Sequence, residues 1–301
     1  MKTLITGGTG FVGRYLTSHF LEQGHQVTVI GTRERLCSFD STRCTYLQAD
    51  TAQTGDWQRA VAQSDLIVNL TGRTIFKRWT RRYRRQIYDS RILTTRHIVS
   101  ALPEQSDTIL INTSAVGYYG DGGEQTLTEA SANGNDFLAG LAKDWEVEAL
   151  KAVAKGVRVV LPRFGIVLGA DGGALANMLP AFRRFAGGPL GSGKQWFPWI
   201  HIDDLVGALQ FLVDHDDLKG PFNLCSPEPI RNGEFAKKLG KTLGRPAAVA
   251  VPRLALKLAL GEVAEVLLAG QRALPAALLA AGFEFRYVDA AQALEELLGD
   301  N

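Results

Sequence analysis

The chain has 301 residues, 46% of them hydrophobic and 21% charged, with a net charge of +2. That suits one large or two closely joined domains with a filled core, and the near-zero charge excludes a generic polyanion binder. Three cysteines without a C-x-x-C pair and five scattered histidines exclude a disulfide framework and a zinc cage, so no metal is expected.

The first element is a short apolar strand over 3–6 that runs into Gly7-Gly8-Thr9-Gly10-Phe11-Val12-Gly13, with a helical stretch over 14–23 directly after it. Glycines between a strand and a helix permit a tight turn and a close backbone approach, and the N–H groups of the helix start then face a pyrophosphate. Gly7, Thr9, Gly10, Phe11, Val12 and Gly13 are the expected cradle. A second strand over 26–30 leads into Gly31-Thr32-Arg33-Glu34-Arg35. An acidic residue at this position would hold a ribose; here the position is basic, and Thr32 with Arg33 suits a 2′-phosphate. NADP(H) is therefore the expected cofactor. Asp50, past a third strand over 45–48, either accepts from an adenine amino group or caps the turn at Thr51.

Further strands are expected over 66–70, 109–113 and 157–162, with helices over 57–63, 82–102 and 138–154 between them. The strands are continuously apolar and alternate with helices, the pattern of a parallel sheet covered on both faces. The expected fold is α/β, a doubly wound Rossmann sheet over residues 1–228, with a smaller substrate lobe mainly from 166–200 and after 228. A helical C-terminal extension follows. The helix over 82–102 belongs to a basic run, Arg73, Lys77, Arg78, Arg81, Arg82, Arg84 and Arg85, with Trp79 and Tyr83 interleaved. It reads as a solvated face beside an anionic cofactor rather than as a nucleic-acid surface.

Later segments carry two motifs of lesser weight. Gly188-Pro-Leu-Gly-Ser-Gly193-Lys194 has phosphate-loop spacing, but Gln195 replaces the metal-binding hydroxyl and no strand precedes it, so it reads as a substrate-side loop. His201, Asp203 and Asp204 resemble an acid/base cluster, and Asp203 suits a helix N-cap. The apolar stretch 247–268 is punctuated by Pro252, Arg253, Lys257, Glu262 and Glu265, so an amphipathic helix is expected rather than a membrane span. With no signal-peptide core over 1–6, the expected location is cytoplasmic.

The glycine loop, Asn69-Leu-Thr-Gly72, Asn112-Thr-Ser-Ala-Val-Gly-Tyr-Tyr-Gly120, Trp199-Ile-His-Ile-Asp-Asp204 and Phe222-Asn-Leu-Cys-Ser-Pro-Glu-Pro229 resemble the extended short-chain dehydrogenase/reductases, the NAD-dependent epimerase/dehydratase family. Lys77-Arg-Trp-Thr80, Asp89-Ser-Arg91, Gly117-Tyr-Tyr-Gly-Asp121, Gly187–Gly193 and Gly270-Gln-Arg-Ala-Leu-Pro275 resemble its atypical YfcH-type branch. That branch carries a small C-terminal domain, here over 249–298. The resemblance implies a cofactor pocket walled by Leu70, Thr71 and Gly72, with Gln86 and Arg91 facing the dinucleotide. It also implies a polarising hydroxyl, Ser114, and a Tyr with a Lys four residues later, whose charge lowers the phenol pKa. The Tyr-x-x-x-Lys element is absent: Ala139 precedes Lys143 by four, and Lys143 reads as a surface lysine. Tyr118 and Tyr119 are the candidate substitutes, or else aromatic packing. Two functions follow: an NADP(H)-dependent oxidoreductase or epimerase acting on a small molecule, or a cofactor-sensing protein of reduced catalytic power.

Overall fold

The computed structural model describes residues 1–33 and 42–299. Its central sheet is built from β1 (Lys2–Thr6), β2 (Gln26–Gly31), β3 (Cys44–Gln48), β4 (Leu66–Asn69), β5 (Ile109–Asn112), β6 (Arg158–Phe164) and β7 (Gly220–Leu224). All pair in parallel, in the order β7-β6-β5-β4-β1-β2-β3. The chain works outward from β1 to β3 and then returns to place β4 on the other side of β1. The carboxyl ends of β1 and β4 therefore border the crevice where open sheets take ligands.

Side chains alternate across each strand, and both faces are covered. Ile5, Val29, Leu66, Val68 and Ile111 face α1 (Phe11–Glu22) and the later helix Ile202–Asp214, where Leu16, Phe20, Leu205 and Leu209 close the layer. Leu4, Ile30, Ile67, Leu110 and Leu161 face α2 (Gln58–Ala62), α3 (Arg81–Ala101) and α4 (Phe137–Leu150). Burial on both sides is why these strands read as unbroken apolar runs.

Three expected boundaries shift for identifiable reasons. α1 starts at Phe11 rather than 14 because Gly10, in extended conformation, already serves as its N-cap. α4 ends at Leu150 and tightens into a 3-10 turn, Lys151–Lys155, that Gly156 closes at φ 83°. β6 continues through Pro162 to Phe164. β5 pairs with β6 only as far as Val160, and the two-residue strand Ser114–Ala115 resumes pairing at Arg163, so Pro162 sits where that side needs no donor.

Beyond the sheet lie α5 (Gly173–Arg183), α6 (Ile202–Asp214) and α7 (Asn232–Thr242), then α8 (Arg253–Leu260), α9 (Val263–Leu268), α10 (Ala276–Ala280) and α11 (Ala290–Leu298). Leu294 and Leu297 of α11 join Leu239 of α7 and Leu179 and Phe182 of α5 in a second core. The Asp204 carboxylate accepts the backbone N–H groups of Arg286 and Tyr287 at 2.8 and 2.9 Å, which ties the tail to α6. No helix among the described residues is long and apolar enough to cross a membrane.

Candidate active site

The turn after β1 is closed by direct backbone contact. Gly7 has φ 71°, and a Cβ there would lie 2.9 Å from the Leu70 carbonyl oxygen. A Cβ on Gly13 would lie 2.5 Å from the Gly7 carbonyl oxygen, so α1 is pressed onto the turn as no larger residue would permit. Gly10 offers no side-chain cap, and among the described residues no protein acceptor takes the N–H groups of Phe11, Val12 and Gly13. These donors, at the positive end of a 12-residue helix, border a cleft of about 340 Å³.

One wall of the cleft is the first turn of α1. The Phe11 ring fits against Gly169, Gly172 and Gly173, where added Cβ atoms would come within 2.2–2.5 Å of the ring or of the Val167 carbonyl. Asp171 fastens that glycine turn to α1 by accepting from the Arg14 guanidinium and the Tyr15 hydroxyl at 3.0 and 2.8 Å. The opposite wall is Leu70, Gly72 and Arg91. Arg91 donates one nitrogen to the carbonyls of Arg73 and Ile87, both at 3.1 Å, and its guanidinium lies 5.3 Å from the centre of the Trp145 ring. Among the described residues it has no carboxylate partner, and burial pushes its pKa down to about 10. It is the one charged residue lining the cleft among the described residues.

A buried polar lattice fixes these walls. Asn69 accepts from the Thr6 hydroxyl and donates to Thr95 and to Asn112, joining the ends of β1, β4 and β5 to α3. Thr95 in turn accepts from the Trp145 indole at 2.8 Å, which sets that ring in the cleft wall. Leu138, Leu141, Ala142 and Trp145 are the residues α4 presents to the cleft. None of them titrates, and Lys143 is exposed on the far side.

Thr113 and Ser114 lie at the carboxyl end of β5 and line the cleft floor. The Thr113 hydroxyl is buried with no hydrogen-bond partner among the described residues, an unsatisfied polar group at the edge of the cleft. Ser114 donates to the Glu146 carboxylate at 2.6 Å. Arg163 grips the same carboxylate with two nitrogens, each at 2.8 Å. Burial opposes the charge on Arg163, but the Glu146 fork outweighs it and holds the guanidinium pKa above its ordinary value.

Gly7, Gly10, Phe11, Val12, Gly13, Leu70, Gly72, Arg91 and Ser114 thus converge on one cleft. Other expected residues lie outside its lining. Thr9 packs beside Gly31, Thr71 follows the β4 end, and Gln86 is half-buried on α3 away from the cleft. Thr32 and Arg33 are exposed past β2, where an adenosine end would extend, while Arg35 lies outside the described residues. The tyrosines are placed as packing groups. Tyr118 lies with its ring 3.6 Å from the Arg163 guanidinium, and buried Tyr119 donates to Asn223 at 2.7 Å and accepts from Arg163 at 2.9 Å. Burial pushes the Tyr119 phenol up to about 12, which makes it a poor base at neutral pH.

His201, not Asp203, caps α6: its Nδ1 accepts the Asp203 N–H at 3.1 Å, leaving Nε2–H for Glu296 at 2.9 Å. Asp50 takes the turn role, accepting from the Ala52 N–H. The Gly187–Gly193 loop pairs its backbone with Val249 and Val251, so it docks on the C-terminal segment. On the basic run, Arg84 pairs with Glu262 and lies over the Trp79 and Phe137 rings. Sequence reasoning missed Thr113, Trp145, Glu146 and Arg163. Arg163 had a signal: an arginine within the apolar run of β6 must find a buried partner.

Comparison with known proteins extends this picture. A family model described as NAD dependent epimerase/dehydratase matches residues 3–225, and one described as a domain of unknown function (DUF1731) matches residues 251–297. The chain is 40% identical over 302 residues to the chloroplastic epimerase family protein SDR39U1 homolog of Arabidopsis thaliana, covering 99% of this chain and 87% of that protein. It is 37% identical over 303 residues to epimerase family protein YfhF of Bacillus subtilis, covering 100% and 99%. Among solved structures it is similar to human epimerase family protein SDR39U1 with NADPH, at a TM-score of 0.88 and 31% identity over 100% of both chains.

Proposed function

The chain belongs to the NAD dependent epimerase/dehydratase family, and from that premise we propose that it binds NADP(H) and acts as an oxidoreductase or epimerase on a small molecule seated on Thr113 and Ser114. The observation that carries this reading is the charge pattern of the cleft: uncapped helix N–H groups and one half-buried arginine, with no carboxylate among the described lining residues. Such a surface is complementary to a pyrophosphate. The glycine cradle fits the same group.

Bound NADP(H) supplies or accepts a hydride. The N–H groups of residues 11–13 and Arg91 hold its phosphates, and exposed Thr32 and Arg33 favour a 2′-phosphate. The NADPH named with the human relative supports the same choice. Phe11, Leu138, Ala142 and Trp145 exclude water from the reacting end, and Thr113 and Ser114 orient the substrate oxygen. A second reading, a cofactor-sensing protein, is favoured by the lack of any titratable group on the α4 face of the cleft.

NADPH titration followed by Trp145-dependent fluorescence tests the cofactor site. The wild type should bind, and Arg91→Met, which keeps volume but removes charge, should weaken binding about tenfold or more. Unchanged affinity in that variant would remove Arg91 from the site. Turnover of a panel of aldehydes, ketones and alcohols separates the two readings: binding with no turnover of any compound favours the sensor.

A further inference from the structure

The hydroxyl of Ser114 carries one proton, and the structure shows where it goes. Ser114 Oγ lies 2.6 Å from Glu146 Oε1, and no other acceptor competes for that proton among the described residues. Glu146 cannot return a proton in this bond, because both its oxygens are held by the Arg163 fork, so it stays an acceptor. Arg163 is itself fixed by the Tyr119 hydroxyl, which donates onward to Asn223. The chain of bonds therefore has one direction, from Arg163 and Ser114 into Glu146.

The geometry points to a reversed polarity at Ser114: the residue offers the cleft lone pairs and no proton, so the ligand group it receives is a hydrogen-bond donor, an alcohol hydroxyl rather than a carbonyl oxygen. Glu146 is the positioning residue that sets this selectivity. It does not touch the ligand; it acts by fixing the Ser114 rotor, while Arg163 holds both its oxygens. Thr113, whose hydroxyl is unpartnered, can serve as donor or acceptor and does not discriminate. The inference rests on the proposed function only in taking the cleft as the substrate site.

A matched pair of probes tests it. Cyclohexanol and cyclohexanone are titrated by ligand-observed NMR against the protein alone, then as pairs that cannot react, alcohol with NADPH and ketone with NADP+. The wild type should prefer the alcohol about three- to tenfold, the worth of one neutral hydrogen bond. Ser114→Ala should abolish the preference. In Glu146→Gln the amide can donate to Ser114 Oγ and turn its proton to the cleft, so the preference should fall at least threefold or invert. A purely structural Glu146 would leave that ratio unchanged. Equal or tighter binding of the ketone by the wild type, no binding of the alcohol, or a ratio unmoved by Glu146→Gln overturns the proposal. Should that variant not fold, neutron diffraction on the wild type decides: a deuteron between Ser114 Oγ and Glu146 supports the proposal, and one directed into the cleft refutes it. Loss of NADPH binding with the alcohol preference intact would count against the cofactor reading alone.

Discussion

Replacing Arg163 with methionine strands a buried carboxylate. Arg163 and Glu146 side chains are 4% and 8% exposed, and the substitution removes both 2.8 Å bonds to Glu146 and the 2.9 Å bond to Tyr119. Only the Ser114 hydroxyl then satisfies the charge. Removing one partner of such a pair costs roughly 3–5 kcal/mol, a large part of the ~5–15 kcal/mol of a typical domain. The loss should depend on pH. In the variant, burial disfavours ionised Glu146 and raises its folded pKa above the unfolded value of about 4.3. Stability contributed by a raised group is complete below the unfolded pKa and is lost as pH rises through the folded one. Relative to the wild type, the destabilisation should therefore grow from pH 5 to pH 8 in equilibrium urea unfolding followed by tryptophan fluorescence. The double variant Glu146→Gln, Arg163→Met should recover most of the loss at pH 8. A cost under about 1 kcal/mol, or equal losses at both pH values, would refute the ion-pair reasoning.

Gly13→Ala places a Cβ 2.5 Å from the Gly7 carbonyl oxygen, so the helix start must move off the turn. NADPH affinity measured by calorimetry should fall by about tenfold or more, and an unaffected affinity would show that the cradle is not where phosphate sits. Tyr119→Phe removes bonds to Asn223 and Arg163 inside the core and should cost about 1–3 kcal/mol in urea unfolding while leaving NADPH affinity unchanged. A phenylalanine variant of full stability, or one that loses NADPH, would contradict the packing role assigned to this tyrosine.

The sheet was readable because its information is local. Runs such as 66–68 and 109–111 are apolar at every position, and the glycine turn occupies seven consecutive residues, so periodicity and punctuation suffice. The strand expected over 157–162 runs on to Phe164 because Pro162 is tolerated where a neighbouring strand stops, which no local pattern encodes. The glycine side of the cleft was legible for the same reason as the turn, since Gly7, Gly10 and Gly13 punctuate one strand end, while Leu70 and Gly72 were supplied by the family resemblance. The floor was not. Glu146 and Arg163 are 17 residues apart and meet only because α4 and β6 flank Ser114. Tyr119 follows Ser114 closely in sequence, yet the short helical turn Val116–Tyr119 directs it into Arg163 and Asn223. The Gly187–Gly193 loop, expected on the substrate side, pairs with Val249 and Val251, some 60 residues downstream, a partner that no local pattern encodes.

The central claim is a cofactor cleft built for a 2′-phosphorylated dinucleotide, and parallel fluorescence titration of NADPH and NADH tests it most directly. NADPH should bind about tenfold more tightly or better, and Arg33→Ala should bring the two affinities together. Equal affinities in the wild type, a preference for NADH, or no binding of either would contradict the account.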